Sequence, residues 1–284
     1  MARRGRYSRR LIAESVGVSR SNLSWQLNRH EGEDISQRQA ADKQSDDLLK
    51  EIKTVLKTRP TYGYRRVTAR LNARRRQDNL PLINHKRIYR LMKNHNLLLS
   101  RYSTKPIRVH DGNVITLHRN TRWCSDAFYL SCDNGERVQV AFSLDTCDRE
   151  AMRYVASTKG IDGGMVRDLM AETVLYRFGE VDNVPHAIQW LSDNGPCYVA
   201  RETVNFGRSL GLEICTTAPY SPQSNGMAEA FVKSFKRDYA HLGDLSCATA
   251  VVRQLPRWFE DYNNHAPHKG LKMLSPRQFI RLQG

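Results

Sequence analysis

Long apolar runs, paired cysteines and, between Thr61 and His110, acidic residues are scarce in this 284-residue sequence. No apolar stretch approaches the roughly 18 residues that a membrane-spanning helix needs, so no membrane contact is expected. The basic opening MARRGRYSRR also lacks the apolar segment of a secretory signal. Between Thr61 and His110 the only acidic residue is Asp78. Together these absences predict a cytoplasmic globular protein with a strongly basic segment.

The six cysteines are dispersed along the chain, and none belongs to a Cys-x-x-Cys pair. This spacing argues against a zinc ribbon and, in a cytoplasmic protein, against structural disulfides. Four histidines do not supply zinc-ligand spacing either, and we expect them to face solvent or DNA: His85, His95, His110 and His118.

Positive charge is concentrated in the front of the chain. Residues 1–110 carry 26 Lys and Arg against 9 Asp and Glu, a net charge of +17, whereas residues 111–284 carry 19 against 20, a net charge of −1. A basic block beside a nearly neutral block is typical of nucleic-acid binding, because neutralising phosphates releases counterions. A need for solubility alone would not predict this asymmetry.

Residues 1–30 contain a candidate helix-turn-helix. Two short helices are predicted around Gly17, the second of them capped by Ser19. Their shared core would comprise Leu11, Ile12, Val16, Val18, Leu23 and Leu27. The second helix would present Arg20, Asn22 and Gln26 to base edges in the major groove. The alternative interpretation is an ordinary helical hairpin.

A second basic helical unit is predicted at residues 48–100, after a linker or exposed helix at residues 31–47. In this unit, apolar residues at helical spacing alternate with a basic face. Its candidate DNA contacts are Arg65, Arg66, Arg70, Arg74, Lys86, Arg87, Arg90 and Lys93. Residues 101–120 then form an extended connector, with Lys105 and Arg108 near DNA.

A carboxylate lies within the first of three predicted strands. Asp133-Asn134-Gly135 is a strong hairpin signal between the first two strands, which alternate apolar and polar residues. Asp126 is costly to bury in such a strand, so it is expected to have a function or an ion-pair partner. Asp145 is its rival, but it lies where the second strand breaks up, which favours an ordinary strand-end role.

Two further acids lie downstream with 35 residues between them. Asp193 follows a short apolar strand and opens the turn Asp-Asn-Gly-Pro, so it is expected at a strand's carboxyl end, where open α/β sheets bind ligands. Glu229 is predicted on a helix, on the same side as Lys233 and Lys236 and away from the apolar stripe. That face suits a metal ion and the phosphates around it.

In this order, the motifs resemble those of the DDE transposases and retroviral integrases. The resemblance is carried by Trp-x-x-Asp on a first strand, Ser-Asp-Asn-Gly after a later strand, and a Glu preceded by Pro-Gln-Ser-Asn-Gly. More narrowly, the chain is similar to the catalytic protein of bacterial insertion sequences that move through a circular DNA intermediate. The similar region runs from about Arg59 to the C-terminus and includes RPTYGYRRV, NHKRIYRLM and YNNHAPHKGLKMLSPRQF.

The resemblance implies an α/β fold, a ribonuclease-H-like mixed sheet flanked by helices at residues 121–240, with a helix and tail at residues 241–284 packed on it. Its catalytic and metal-ligating triad would be Asp126, Asp193 and Glu229. Carboxylates without thiolate or imidazole partners select hard cations, so two Mg²⁺ or Mn²⁺ ions are expected. Further DNA contacts are expected at Gln223, Asn225, Lys233 and Lys236.

The activity implied is cleavage of transposon ends and transfer of the freed 3′-hydroxyl into DNA, near the bacterial nucleoid. Expected partners are double-stranded DNA, as terminal inverted repeats and as target, and at least one further copy of this chain. In the family an upstream reading frame can add another protein, fused by frameshifting or separate. Two alternatives remain: a ribonuclease-H-like or resolvase-type nuclease without joining activity, and a non-catalytic DNA-binding regulator.

Overall fold

A computed structural model describes residues 7–27, 31–100, 116–181, 184–217 and 225–283, with the side chains of residues 25–43 excepted. Three predicted DNA contacts, Lys105, Arg108 and Gln223, and the side chain of Gln26 lie outside this description. In the described ranges, no helix combines the length and the apolar character needed to cross a membrane.

Two short helices, α1 (Arg9–Val16) and α2 (Arg20–Leu27), open the described chain. Gly17 takes a left-handed conformation between them, with φ 69°, and the Ser19 hydroxyl accepts the Asn22 amide at 3.2 Å, as the sequence predicts. The predicted core is wrong for Leu11 and Val16, which are 61% and 64% exposed. An eight-residue helix buries one narrow face, and α1 buries Ala13 instead.

The basic helical unit consists of α3 (Glu31–Thr58), α4 (Tyr64–Gln77) and α5 (His85–Asn94). Residues 31–47, which were predicted to be either a linker or an exposed helix, belong to the continuous helix α3. This segment contains no proline and is rich in good helix formers. The unit has its own buried core of Leu48, Ile52, Tyr62, Val67, Leu71, Ile88 and Met92.

A five-stranded sheet forms the centre of the larger unit. Its strands are β1 (Arg122–Ser131), β2 (Arg137–Asp145), β3 (Ala151–Ser157), β4 (Ile188–Ser192) and β5 (Leu212–Thr216). The spatial order is β3-β2-β1-β4-β5, with the first three antiparallel and with β4 and β5 running parallel to β1. The predicted mixed sheet is therefore confirmed.

Helices cover both faces of this sheet. The helices that follow β3 are α6 (Gly163–Phe178), α7 (Pro196–Val199), α8 (Arg201–Ser209), α9 (Gly226–Asp238), α10 (Ala248–His265) and α11 (Pro276–Gln283). On one face, α9 and α10 contribute Phe231, Phe235 and Phe259 to an aromatic core that includes Phe142 of β2. On the other face, Val166 and Met170 of α6 belong to a core with Trp123 and Trp190. This packing fixes the start of α9 against the central strand.

Candidate active site and DNA interface

Two of the predicted acids lie at neighbouring strands, Asp126 within β1 and Asp193 just after β4. Parallel β1 and β4 pair Cys124 with Leu191, and Asp126 and Asp193 each lie two residues further along the chain. Asp126 is half-buried within β1, whereas Asp193 is exposed just after β4 ends. The two residues therefore lie side by side at the same position of the sheet, at the carboxyl end of β4.

Helix α9 brings the third acid to this place. Asn225, immediately before α9, donates from Nδ2 to the carbonyl oxygen of Ser125 at 3.2 Å. One turn later, Glu229 lies in the first turn of α9, with its side chain 41% exposed. The predicted role of Asn225 in DNA contact stays a prediction; the residue is 6% exposed and is bonded to β1 within the protein. The sequence motif that contains Asn225 does not indicate this hydrogen bond to β1.

Asp193 and Glu229 both act electrostatically on Asp126. The pKa of Asp126 is raised to about 6. Burial and the negative charges of Asp193 and Glu229 raise it, whereas the Ala127 N–H, which donates to Asp126 Oδ1 at 2.8 Å, lowers it. A carboxylate with two acidic neighbours is stabilised in its charged form by a bound cation. The site is therefore electrostatically suited to a positive ion.

The backbone around Asp193 holds its carboxylate in place. The Gly195 amide donates to Asp193 Oδ1 at 3.0 Å, and the Asn194 side chain donates to the Thr217 carbonyl at 3.0 Å. A Cβ at Gly195 would lie 2.9 Å from Asp193 Oδ1, so only glycine leaves room for this arrangement. The turn Asp-Asn-Gly-Pro thus positions the acid and ties it to the end of β5.

The donor set fits a hard divalent cation, because it consists of carboxylates without thiolate or imidazole. As the side chains stand, no group of three His, Cys, Asp or Glu residues in the described ranges is close enough to ligate one ion. The three negative charges repel one another. The side chains of Asp193 and Glu229 are accessible to solvent, so both can change rotamer.

Two lysines share the outer face of α9 with Glu229. Lys233 Nζ lies 3.7 Å from Glu229 Oε2 and its side chain is 72% exposed. Lys236 Nζ lies 5.6 Å from the centre of the Phe128 ring. Both cations therefore lie along the helix that carries Glu229, as its spacing in the sequence predicts.

Asp145 has the structural role that the sequence favours for it. It is fully buried, and it accepts hydrogen bonds from the Asn120 amide at 2.8 Å and from Trp123 Nε1 at 3.2 Å. Arg177 lies 3.4 Å away and also pairs with buried Asp148 and Glu150. Asp145 belongs to this enclosed ion network, which leaves it no open side toward the other acids.

The basic residues of α4 and α5 are mostly accessible. Exposed members are Arg65, Arg74, Lys86, Arg90 and Lys93, and Arg70 and Arg87 are half-buried. On α2, Arg20 and Asn22 are exposed as well. Arg66 differs, because its Nη2 lies 2.8 Å from Oδ2 of Asp238 and its side chain is 20% exposed. The predicted DNA contact by Arg66 stays a prediction, and within the protein the residue is paired with a carboxylate of the sheet-containing unit.

Sequence reasoning missed Asp238 and Asp261, the acids that receive Arg66 and Arg59. Both lie on helices predicted correctly, but their partners are far away in the chain, as the separations of 177 residues for Thr61 and Asp238 and 202 residues for Arg59 and Asp261 show. The one available signal was the conspicuous RPTYGYRRV motif, which contains both arginines.

The matches to protein families fall on two parts of the chain, the basic helical unit and the sheet-containing unit. The family described as HTH-like domain matches residues 43–105, which include α4 and α5. Two families described as Integrase core domain match residues 117–222 and residues 210–276. Members of the integrase core family normally depend on divalent metal ions, and an HTH-like domain implies DNA binding. These matches agree with a ribonuclease-H-like catalytic core that follows a helical DNA-binding unit.

Solved structures with a similar fold include a chain of the simian T-cell lymphotropic virus intasome in complex with PP2A regulatory subunit B56 gamma. That chain is 16% identical, with a TM-score of 0.47 and coverage of 69% of this chain and 66% of that one. The catalytic core domain of BIV integrase is 19% identical, with a TM-score of 0.40 and coverage of 58% and 96%.

Curated relatives are far more similar. The transposase InsD of insertion element IS2A/D/F/H/I/K from Escherichia coli is 42% identical over 273 residues, which cover 95% of this chain and 90% of that protein. The InsD transposase of element IS2-9 from strain K12 has the same identity, with coverage of 95% and 88%. On this similarity, and with the integrase core in place, the chain belongs to the insertion-sequence transposases, DDE-type enzymes of the integrase superfamily that act on DNA.

Proposed function

We propose that Asp126, Asp193 and Glu229 are the catalytic triad of this transposase and hold two Mg²⁺ or Mn²⁺ ions. One observation carries the proposal: Asp126 within β1 and Asp193 just after β4 each lie two residues beyond the paired Cys124 and Leu191, and α9 packs so that Glu229 raises the pKa of Asp126. Acids that influence one another over such separations in the chain are brought together by the fold alone.

The reaction supported is cleavage of a transposon end followed by strand transfer. Bound divalent ions would stabilise the attacking and leaving oxygens of an in-line displacement at phosphorus. In the first step, water adds to phosphorus and the P–O3′ bond breaks, which frees the 3′-hydroxyl of the element end. That hydroxyl then attacks a target phosphodiester and displaces its 3′-oxygen. Neither step requires a nucleophilic side chain.

The protein's contribution is to hold the DNA and the carboxylates in register. The exposed basic face of α4 and α5 would bind the phosphates of a terminal inverted repeat, and exposed Arg20 and Asn22 of α2 would add contacts. Joining two ends requires at least two copies of the chain. A protein from an upstream frame, fused or separate, would add a further DNA-binding segment.

The proposal is tested with a labelled duplex that carries the element's own terminal repeat and flanking DNA. In Mg²⁺ the protein is expected to nick the strand at the 3′ end of the element and to join that end to a second duplex. Removal of the metal by EDTA should stop both reactions. Cleavage of an RNA–DNA hybrid without joining would instead support a nuclease, and tight binding without reaction on any end would support a regulator.

Lys233 and Lys236 are expected to position phosphates beside the triad. Replacing both by alanine should reduce photocrosslinking of the protein to terminal DNA. It should also lower the slope of log affinity against log salt by about 0.9 for each phosphate that the protein no longer neutralises. Crosslinking and salt slope equal to those of the wild type would show that the two lysines are ordinary surface charges.

A further inference from the structure

The RPTYGYRRV motif at residues 59–67 lies against the sheet-containing unit. Three of its side chains, Arg59, Thr61 and Arg66, bond to carboxylates near the C-terminal ends of α9 and α10. The motif leads from α3 into α4, so it belongs to the basic helical unit, which is the proposed DNA-binding unit. The proposed DNA face and the proposed triad leave these contacts unexplained.

Asp238, the last residue of α9, is the centre of the first contact. It is 1% exposed, and Thr61 Oγ1 donates to its Oδ1 at 2.6 Å while Arg66 Nη2 lies 2.8 Å from its Oδ2. Arg237 binds both carboxylate oxygens from its own helix, at 2.7 and 2.8 Å. Burial would raise the pKa of Asp238, but these donors lower it to about 2, so the carboxylate is charged at neutral pH.

Asp261 of α10 is the centre of the second contact. Arg59 forms an ion pair with it, and the Tyr239 hydroxyl donates to Asp261 Oδ2 at 3.0 Å. The Arg59 guanidinium also lies over the Tyr239 ring, 4.8 Å from its centre. The two side chains of this pair are 18% and 22% exposed, so water screens them little.

Tyr62 connects the two contacts. Its ring is 1% exposed and the Arg66 guanidinium stacks 3.8 Å from its centre. The charges of both arginines and of both aspartates act on its hydroxyl. A planar guanidinium that is stacked on one ring and paired with a buried carboxylate has few alternative positions. The two contacts therefore form one continuous surface with little freedom to slide.

Helix α9 links this surface to the catalytic acids. Glu229 lies in its first turn and Asp238 is its last residue, nine positions later, which is about 14 Å along a helix. The buried side chains Phe231 and Phe235 hold the helix on the sheet between these ends. A displacement of the DNA-binding unit at Asp238 would thus change the path of DNA relative to Glu229.

We propose that Arg59, Tyr62, Arg66, Asp238 and Asp261 form an interdomain joint that fixes where DNA held by the helical unit meets the triad. The proposal rests on the function proposed above. These five are positioning residues, which act through the placement of the DNA and contact neither the scissile phosphate nor the metal ions. Loss of the joint should change where and how fast the strand is cut, and should leave binding of the end nearly unchanged.

Arg66→Ala and Arg65→Ala form a matched pair for this test. The two arginines are adjacent in the same motif, but Arg65 is exposed and bonds only to its neighbour Tyr64 within the described part of the protein. Arg66→Ala should lower the single-turnover rate of end cleavage at least about tenfold and scatter the nick over neighbouring phosphates, because small misplacements are costly in catalysis. Its affinity for the end should change less than about twofold, since the side chain is held by Asp238 between the two units. Arg65→Ala should weaken binding and leave the nick position unchanged.

A second variant separates loss of the joint from loss of folding. Combining Arg66→Ala with Asp238→Asn removes the buried charge together with its partner, so the chain should fold and still misplace the nick. Circular dichroism and elution volume report the fold. A folded Arg66→Ala protein that cuts at the wild-type rate and at the wild-type position would overturn the proposed joint. A wild-type protein that cuts no end would instead count against the function proposed above.

Discussion

Glu229→Gln is expected to abolish end cleavage and strand joining while leaving DNA binding nearly intact. The substitution keeps the shape of the side chain and removes its charge, so α9 should pack as before. Losing one of three carboxylates that hold the ions would cost several kcal/mol of transition-state stabilisation, which corresponds to a rate loss of at least about a thousandfold. Single-turnover cleavage of a terminal duplex in Mg²⁺, beside a filter-binding measurement of affinity, separates the two effects.

Glu202→Gln is the matched control for this variant. Glu202 also lies in the first turn of a helix, α8, and also faces a basic side chain, with Arg167 3.5 Å away. It is 84% exposed and lies outside the proposed triad. Its neutral variant should cleave and join at the wild-type rate. A Glu229→Gln protein that joins DNA normally in Mg²⁺ would show that the triad is assigned wrongly.

The acids could be predicted because local sequence determines where each one lies. The hairpin turn at Asp133-Asn134-Gly135 set the register of β1, and the Asp-Asn-Gly-Pro turn placed Asp193 where β4 stops. Local signals also set the ends of α6, because Asp162 caps it and Gly179 ends it with φ 81°. These features depend on neighbours in the chain, which a sequence displays directly.

Two of the predicted DNA contacts, Arg66 and Asn225, bond to residues that are distant in the chain. Arg65 and Arg66 are identical as letters, and only the fold shows that one is exposed and the other reaches Asp238. Asparagine is a residue type common at helix caps and in DNA contacts, yet the side-chain amide of Asn225 donates to the carbonyl oxygen of Ser125, 100 residues earlier. Such roles depend on tertiary packing, so residue type and helical face do not reveal them.

Arg177→Ala is expected to cause the largest loss of stability among single substitutions outside the apolar cores. The Arg177 side chain is 6% exposed and lies within 3.4 Å of Asp145, 3.1 Å of Asp148 and 3.0 Å of Glu150, which are all buried. Removing one partner of a buried ion pair leaves an uncompensated charge and costs about 3–5 kcal/mol. Arg153→Ala is the control, because that residue is 41% exposed and pairs loosely with Glu172 at 3.9 Å, so it should cost less than about 1 kcal/mol.

The cost of Arg177→Ala should grow as the pH rises. The pKa of Asp148 is raised from 3.8 to about 6. Burial and the charge of Asp145 raise it, and Arg177 offsets part of this increase. A carboxyl whose folded-state pKa exceeds its unfolded value binds its proton more tightly when folded, so stability falls as pH rises through that interval. Without Arg177 the pKa rises further and the interval extends above about pH 6. The free energy of unfolding of Arg177→Ala and of the wild type should be measured in urea at about pH 5 and about pH 7. The difference between the two proteins should be larger at the higher pH. An equal difference would mean that Arg177 does not offset the charge of Asp148.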